Sequence, residues 1–207
     1  MSSEGNVQGT APTELGTLKI GKLLRMYAVP GIIAQTAASL YNMVDSIYIG
    51  HIKDIGAFAI SGLAVTFPMM NLSVALGTLV GVGAMTMISV LLGQKDYDKA
   101  RKVLNTTLSL NIIVGAIFSI VSLLFLDPIL TFFGASENTL PFARDYMTII
   151  LIGNIITHLY FGLNGVLRAS GHPKTAMGLT LFTVISNSVL DPLFIFVFDL
   201  GIKGAAI

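Results

Sequence analysis

The stretch MYAVPGIIAQTAASLYNMVDSIYIG, Met26 to Gly50, decides how this chain reads. It runs for about 25 residues, and roughly 20 helical residues cross the hydrocarbon of a bilayer. It holds no Lys or Arg and a single carboxylate, Asp45. A lone acid in such a segment is costly and by default marks function. The other polar residues are not scattered. Gln35, Ser39, Asn42 and Asp45/Ser46 recur at spacings of three and four, along one helical face. That face is predicted to look into protein or water, with Ile32, Ile33, Leu40, Val44 and Ile47 around the rest. Pro30 removes the donor to the carbonyl of Met26 and marks a bend in the helix.

Composition places the whole chain in the same class. Hydrophobic residues make up 54% and charged residues 11%, where a soluble domain carries about 25% charged. Mean hydropathy is +0.81. The chain therefore reads as an integral, multi-pass protein of the cell membrane, with the lipid bilayer as its first partner. A net charge of +1, with 12 basic residues forming no patch, offers nothing to nucleic acid. The absence of Cys excludes disulfides, haem attachment and thiolate metal sites. No GxxxxGK[ST], HExxH or GxSxG occurs, so the chain is predicted not to be an enzyme and to need no organic cofactor. Ion gradients remain as its energy source.

Residues 1–21 form a polar tail without a basic n-region and short apolar core, so no cleavable signal is predicted. Residues 22–207 form the bundle, with spans at about 26–50, 55–93, 103–126, 146–167 and 175–198. Ile55 to Gln94 carries no charge and is long enough for one overlong helix or two short ones. The basic residues decide between them. Lys19/Lys22/Arg25, Lys95/Lys99/Arg101/Lys102 and Arg168/Lys174 all fall on the cytoplasmic side if this segment crosses once. One long helix is expected, bent or broken near Pro68 or Gly77-Gly81-Gly83. The tail is then cytoplasmic. Gly204 to Ile207 reads as the opening of a sixth helix in a truncated chain. The expectation is all-α: five full spans and the start of a sixth.

The fifth span repeats the pattern of the first. Thr180, Thr183, Asn187 and Asp191 follow spacings of three and four. Counting from the span ends, Asp45 and Asp191 lie ~7 and ~10 Å below the outer boundary. One cavity in the outer half is predicted to hold both. No Lys or Arg lies in any apolar core, so each acid must be neutralised by a proton, a metal cation or a cationic substrate. Asp and Asn oxygens together suit a hard cation such as Na⁺. Pro192 adds a free carbonyl at Ser188 in the same region. The bland alternative is two acids snorkelling to the interface, which their matching depth and missing bases disfavour.

Other polar groups read more simply. His158, with Asn154 one turn before it, suits helix–helix hydrogen bonding, as do Asn71, Asn105 and Asn111. Gly77 and Gly81 match close helix packing. Tyr41, one turn before Asp45, and Tyr146 line a cavity or sit in the aromatic belt.

Several local patterns, in order, carry a resemblance. They are the early Pro30 followed by VDSIYIG (Val44 to Gly50), AISGLAVTFP (Ala59 to Pro68) and LLGQKDYDKARKV (Leu91 to Val103). LRASGHPKT (Leu167 to Thr175), SNSVLDPLFIF (Ser186 to Phe196) and a closing GIKGAAI complete them. Residues 20–207 resemble the N-terminal six-helix lobe of the multidrug and toxic compound extrusion family, whose members have twelve helices in two lobes. The resemblance implies a secondary antiporter exporting organic, often cationic, compounds in exchange for H⁺ or Na⁺. It implies an ion-coupling site at Asp45, Asn187 and Asp191, the same residues the spacing selects. Tyr41, Tyr146 and Asn164 fall where relatives line the substrate cavity, and Asn42 on the polar stripe is grouped with them. Relatives also use a sixth-helix hydroxyl, which lies beyond Ile207. The chain is expected to need its missing C-terminal lobe and to be inactive alone. The alternatives are a lipid-linked saccharide flippase of the same superfamily and a non-transport membrane assembly module. A flippase cavity should favour bases for a pyrophosphate, and this chain has none at membrane depth.

Overall fold

The computed structural model describes residues 18–52 and 55–207, so most of the predicted tail, and Lys53, lie outside the described residues. Helix α1 spans Ile20–Gly50, α2 Gly56–Gly93, α3 Tyr97–Leu124, α4 Leu126–Phe132, α5 Leu140–Ala169 and α6 Pro173–Pro192. A π-helical turn, Leu193–Val197, continues α6, and a 3₁₀ segment covers Gly201–Ala206. Among the described residues there is no strand.

The segment after residue 55 is one helix. Helix α2 runs 38 residues unbroken through Pro68, about 57 Å against a hydrocarbon core of about 30 Å. Four elements are long and apolar enough to cross a membrane: α2, α3, α5, and α6 with its π turn. Helix α1 has the length, 31 residues, but its polar stripe keeps it below the hydropathy of the other four.

The helix boundaries are set by local chemistry. Helix α3 begins at Tyr97, before the apolar run, because the Asp96 carboxylate accepts from the Lys99 amide at 3.1 Å. Helix α5 begins at Leu140, six residues ahead of the predicted span, with a proline in its first turn. Just before it, the Thr139 hydroxyl accepts from the Ser136 amide at 2.9 Å. Tyr146 therefore sits inside a helix rather than at a span end. Pro173 starts α6 in the same way. Gly171, at φ +84, allows the turn in which the His172 amide donates to Leu167 O at 3.0 Å.

Packing divides the helices into two groups. Helices α2, α3 and α5 pack on one another, and α1 packs chiefly on α6. The main apolar core joins Leu63 and Met69 of α2, Leu130 of α4, and Met147 and Leu151 of α5. A smaller one, Ala84, Ile88 and Val166, lies toward the other end of α2 and α5.

Candidate ion site and buried polar core

Both acids lie on the mutually packed pair α1 and α6. Asp191 is 6% exposed and Asp45 half-buried. Each keeps one buried carboxylate oxygen, Asp45 Oδ1 and Asp191 Oδ2, without a hydrogen-bond partner. The two are close enough for their charges to act on each other. Tyr41 faces Asp191 and Asn187, and lies within electrostatic reach of both acids. Tyr146, buried at 5%, reaches this pair from α5. Tyr146 is therefore packed inside the bundle near the two acids rather than exposed on its surface.

Among the described residues no basic group pairs with either acid. The ion pairs among the described residues are Lys99–Asp96, Arg144–Asp127 and Lys203–Asp145, all elsewhere. Those residues contain no cluster of three His, Cys, Asp or Glu able to hold a metal. A cation here would rest on two carboxylates and neutral oxygens. Neutral oxygens lie within one helical turn of the acids in sequence. Pro192 has no amide hydrogen for the Ser188 carbonyl. Immediately afterwards the Phe198 amide bonds Leu193 O, five residues back, at 2.9 Å. π turns of this kind concentrate at functional sites. The hydroxyls of Ser46 and Ser188 donate to Asn42 O and Val184 O on their own helices, at 2.9 and 2.8 Å. Each then presents only lone pairs outward.

The remaining residues of the predicted site are placed differently. Asn42 is exposed, as are Gln35 and Ser39 of the same stripe. Asn164 lies 18 positions beyond Tyr146 on α5, about 27 Å along the axis. Its amide donates to Ala176 O at 3.3 Å and to the Thr180 hydroxyl at 3.4 Å, and Tyr160 Oη meets that hydroxyl at 3.0 Å. Asn164 and Thr180 thus tie α5 to α6 at a depth remote from the acids.

A second polar cluster sits inside α2, α3 and α5. Ser73 Oγ donates to Asn154 Oδ1 at 2.6 Å. Asn154 Nδ2 donates to Ser119 Oγ at 3.2 Å and Gly115 O at 3.4 Å. Ser73 Oγ also meets His158 Nε2 at 3.1 Å. Its one proton is already given to Asn154, so proton counting assigns the hydrogen in that contact to Nε2. His158 is fully buried. Gly77 and Gly115 make room for its ring, since a Cβ at either would stand 3.3 Å from its Cγ. Helix–helix bonding by His158 and Asn154 was legible in the sequence; Ser73 and Ser119 were not. The four-residue spacings 73-77-81 and 111-115-119 were the signal available.

The family model described as MatE matches residues 30–193. The chain belongs to the multidrug and toxic compound extrusion (MATE) family. The multidrug export protein MepA of Staphylococcus aureus (strain NCTC 8325 / PS 47) is 34% identical over 186 residues, covering 90% of this chain and 41% of MepA. MepA of Staphylococcus haemolyticus (strain JCSC1435) is 32% identical over 188 residues, covering 91% and 41%. An outward-facing multidrug resistance MATE transporter superposes with TM-score 0.83 at 28% identity, over 89% of this chain and 40% of that one. A transporter of the same superfamily from Pyrococcus furiosus gives 0.82 at 29%, over 89% and 40%. This MATE chain spans about two-fifths of the length of the relatives it matches.

Proposed function

We propose that this chain is the ion-coupling lobe of a MATE antiporter that exports organic, often cationic, compounds in exchange for H⁺ or Na⁺. One observation carries the reading. Two base-free carboxylates, each with a buried and unpartnered oxygen, face the same region from α1 and α6. Such oxygens have to be met by a cation or a proton. The site is Asp45, Asn187 and Asp191, with Tyr41 and Tyr146 in its wall. The relatives named multidrug export proteins support the cargo class. The exposed polar stripe Gln35, Ser39 and Asn42 supports a second lobe, because polar side chains on a spanning helix need water or protein beside them. Exchange then proceeds by rocking the two lobes about a central site, with the N-terminus in the cytoplasm.

The test is transport in proteoliposomes by a protein carrying both lobes, under imposed Na⁺ or H⁺ gradients. Asp45→Asn and Asp191→Asn are each expected to abolish gradient-driven efflux while sparing expression. Efflux unchanged in both variants defeats the proposal. The gradient that drives wild-type efflux names the coupling ion.

A further inference from the structure

The geometry points to a phospholipid site where α3 ends and α4 and α5 begin: one acyl chain in an apolar groove, a zwitterionic headgroup on the Arg144–Asp127 pair. The groove, about 500 Å³, runs between α2, α3 and α4. Met69, Leu72, Phe118, Ile129, Phe132 and Phe133 make most of its wall, and Ser122 is its only polar residue. It opens outward, since Leu72 is 54% and Phe132 83% exposed. On the flank of a membrane-spanning bundle, what enters such a groove is hydrocarbon.

Charge selects the lipid. Pro128 forms a wall of this groove and of a second hollow of about 340 Å³, which is also lined by Asp127, Arg144 and Thr148. Arg144 Nε donates to Asp127 Oδ1 at 2.6 Å, and Nη2 meets Oδ2. The side chains remain 53% and 40% exposed. A guanidinium has five N–H groups, so three stay free for a phosphate, and the carboxylate keeps lone pairs for an ammonium. The Thr148 hydroxyl donates to Arg144 O and has no proton for the ligand. An exposed cation–anion pair beside an apolar slot matches a headgroup carrying phosphate and ammonium together. Asp127 lies three residues past the end of α3, the level at which a headgroup sits when its chain runs alongside that helix. None of this depends on Asp45 or Asp191.

The test is thermal unfolding of the purified chain in detergent, with added dioleoyl phosphatidylethanolamine or dioleoyl phosphatidylglycerol. The two lipids share acyl chains, but only the first carries an ammonium. Phosphatidylethanolamine is expected to give the larger rise in Tm. Leu72→Trp, which fills the groove from an exposed position, and Arg144→Gln are each expected to remove more than half of that rise. Equal responses to the two lipids, or a rise unchanged in both variants, overturns the proposal. Stabilisation by a lipophilic cationic dye but by neither lipid also overturns it and makes the groove a drug site.

Discussion

Gly162→Ala is the sharpest test of the three-helix core. Gly162 is buried on α5, with α2 on one side and α3 on the other. An added Cβ would collide with the Asn111 amide nitrogen and stand 3.2 Å from its Cγ. Asn111 is 1% exposed, so its side chain can move aside only by displacing packed neighbours. Retreat toward α2 is blocked as well, because a Cβ on Gly81 would already stand 3.2 Å from the Gly162 Cα. Overpacking of this kind costs about 1–3 kcal/mol. Alanine returns up to about 1 kcal/mol of helix propensity at any helical glycine. Gly83 isolates that gain, since a Cβ there meets nothing within 4 Å. The propensity term is common to both variants, so Gly162→Ala should be less stable than Gly83→Ala by about 1–3 kcal/mol. Thermal unfolding of both variants in the same detergent measures the difference. Equal stability, or a more stable Gly162→Ala, refutes the packing described for α2, α3 and α5.

Two further predictions concern the turn joining α2 to α3. Lys95 closes α2 at φ 59, where the Asp96 amide bonds Leu91 O at 2.9 Å. A side chain in that conformation costs about 1–2 kcal/mol, of which glycine's looser unfolded chain gives back part, so Lys95→Gly should stabilise by up to about 1 kcal/mol. A lower Tm in the variant contradicts the left-handed assignment. Hydrogen bonds from the Lys99 side chain and then its amide hold the Asp96 carboxyl below the usual carboxylate range. A lowered folded value means that the stabilisation is complete above the ordinary value of about 3.9 and fades as pH falls through the folded one. The Tm gap between wild type and Asp96→Ala should therefore be level near neutrality and narrow in acid. A gap that widens in acid refutes the pairing.

Class was legible in the sequence because it depends on what is present rather than on where it points. Long uncharged runs become long helices in a bilayer, since every backbone group must find its partner within the segment. The uncharged stretch after residue 55 is accordingly one helix. The pair Asp45 and Asp191, on stripes of equal spacing with no base within reach, stood out by the same local reasoning. Helix ends were less legible. The cap at Asp96 and the prolines at 141 and 173 extend α3, α5 and α6 past the apolar runs from which their limits were read.

The tertiary structure decided which faces meet. Helix α1 pairs with α6, at the other end of the chain, and not chiefly with its neighbour α2. That pairing puts the two acids in one field, turns Tyr146 inward to them, and leaves Asn164 to clamp α5 to α6. It also joins Ser73 to Asn154 and His158. Hydropathy is silent on such choices, because lipid and neighbouring helix are equally apolar. What selects a partner face in a membrane is close approach at small residues and the pairing of scattered polar groups. Both depend on the rotation of each helix about its axis, which only the packed bundle sets.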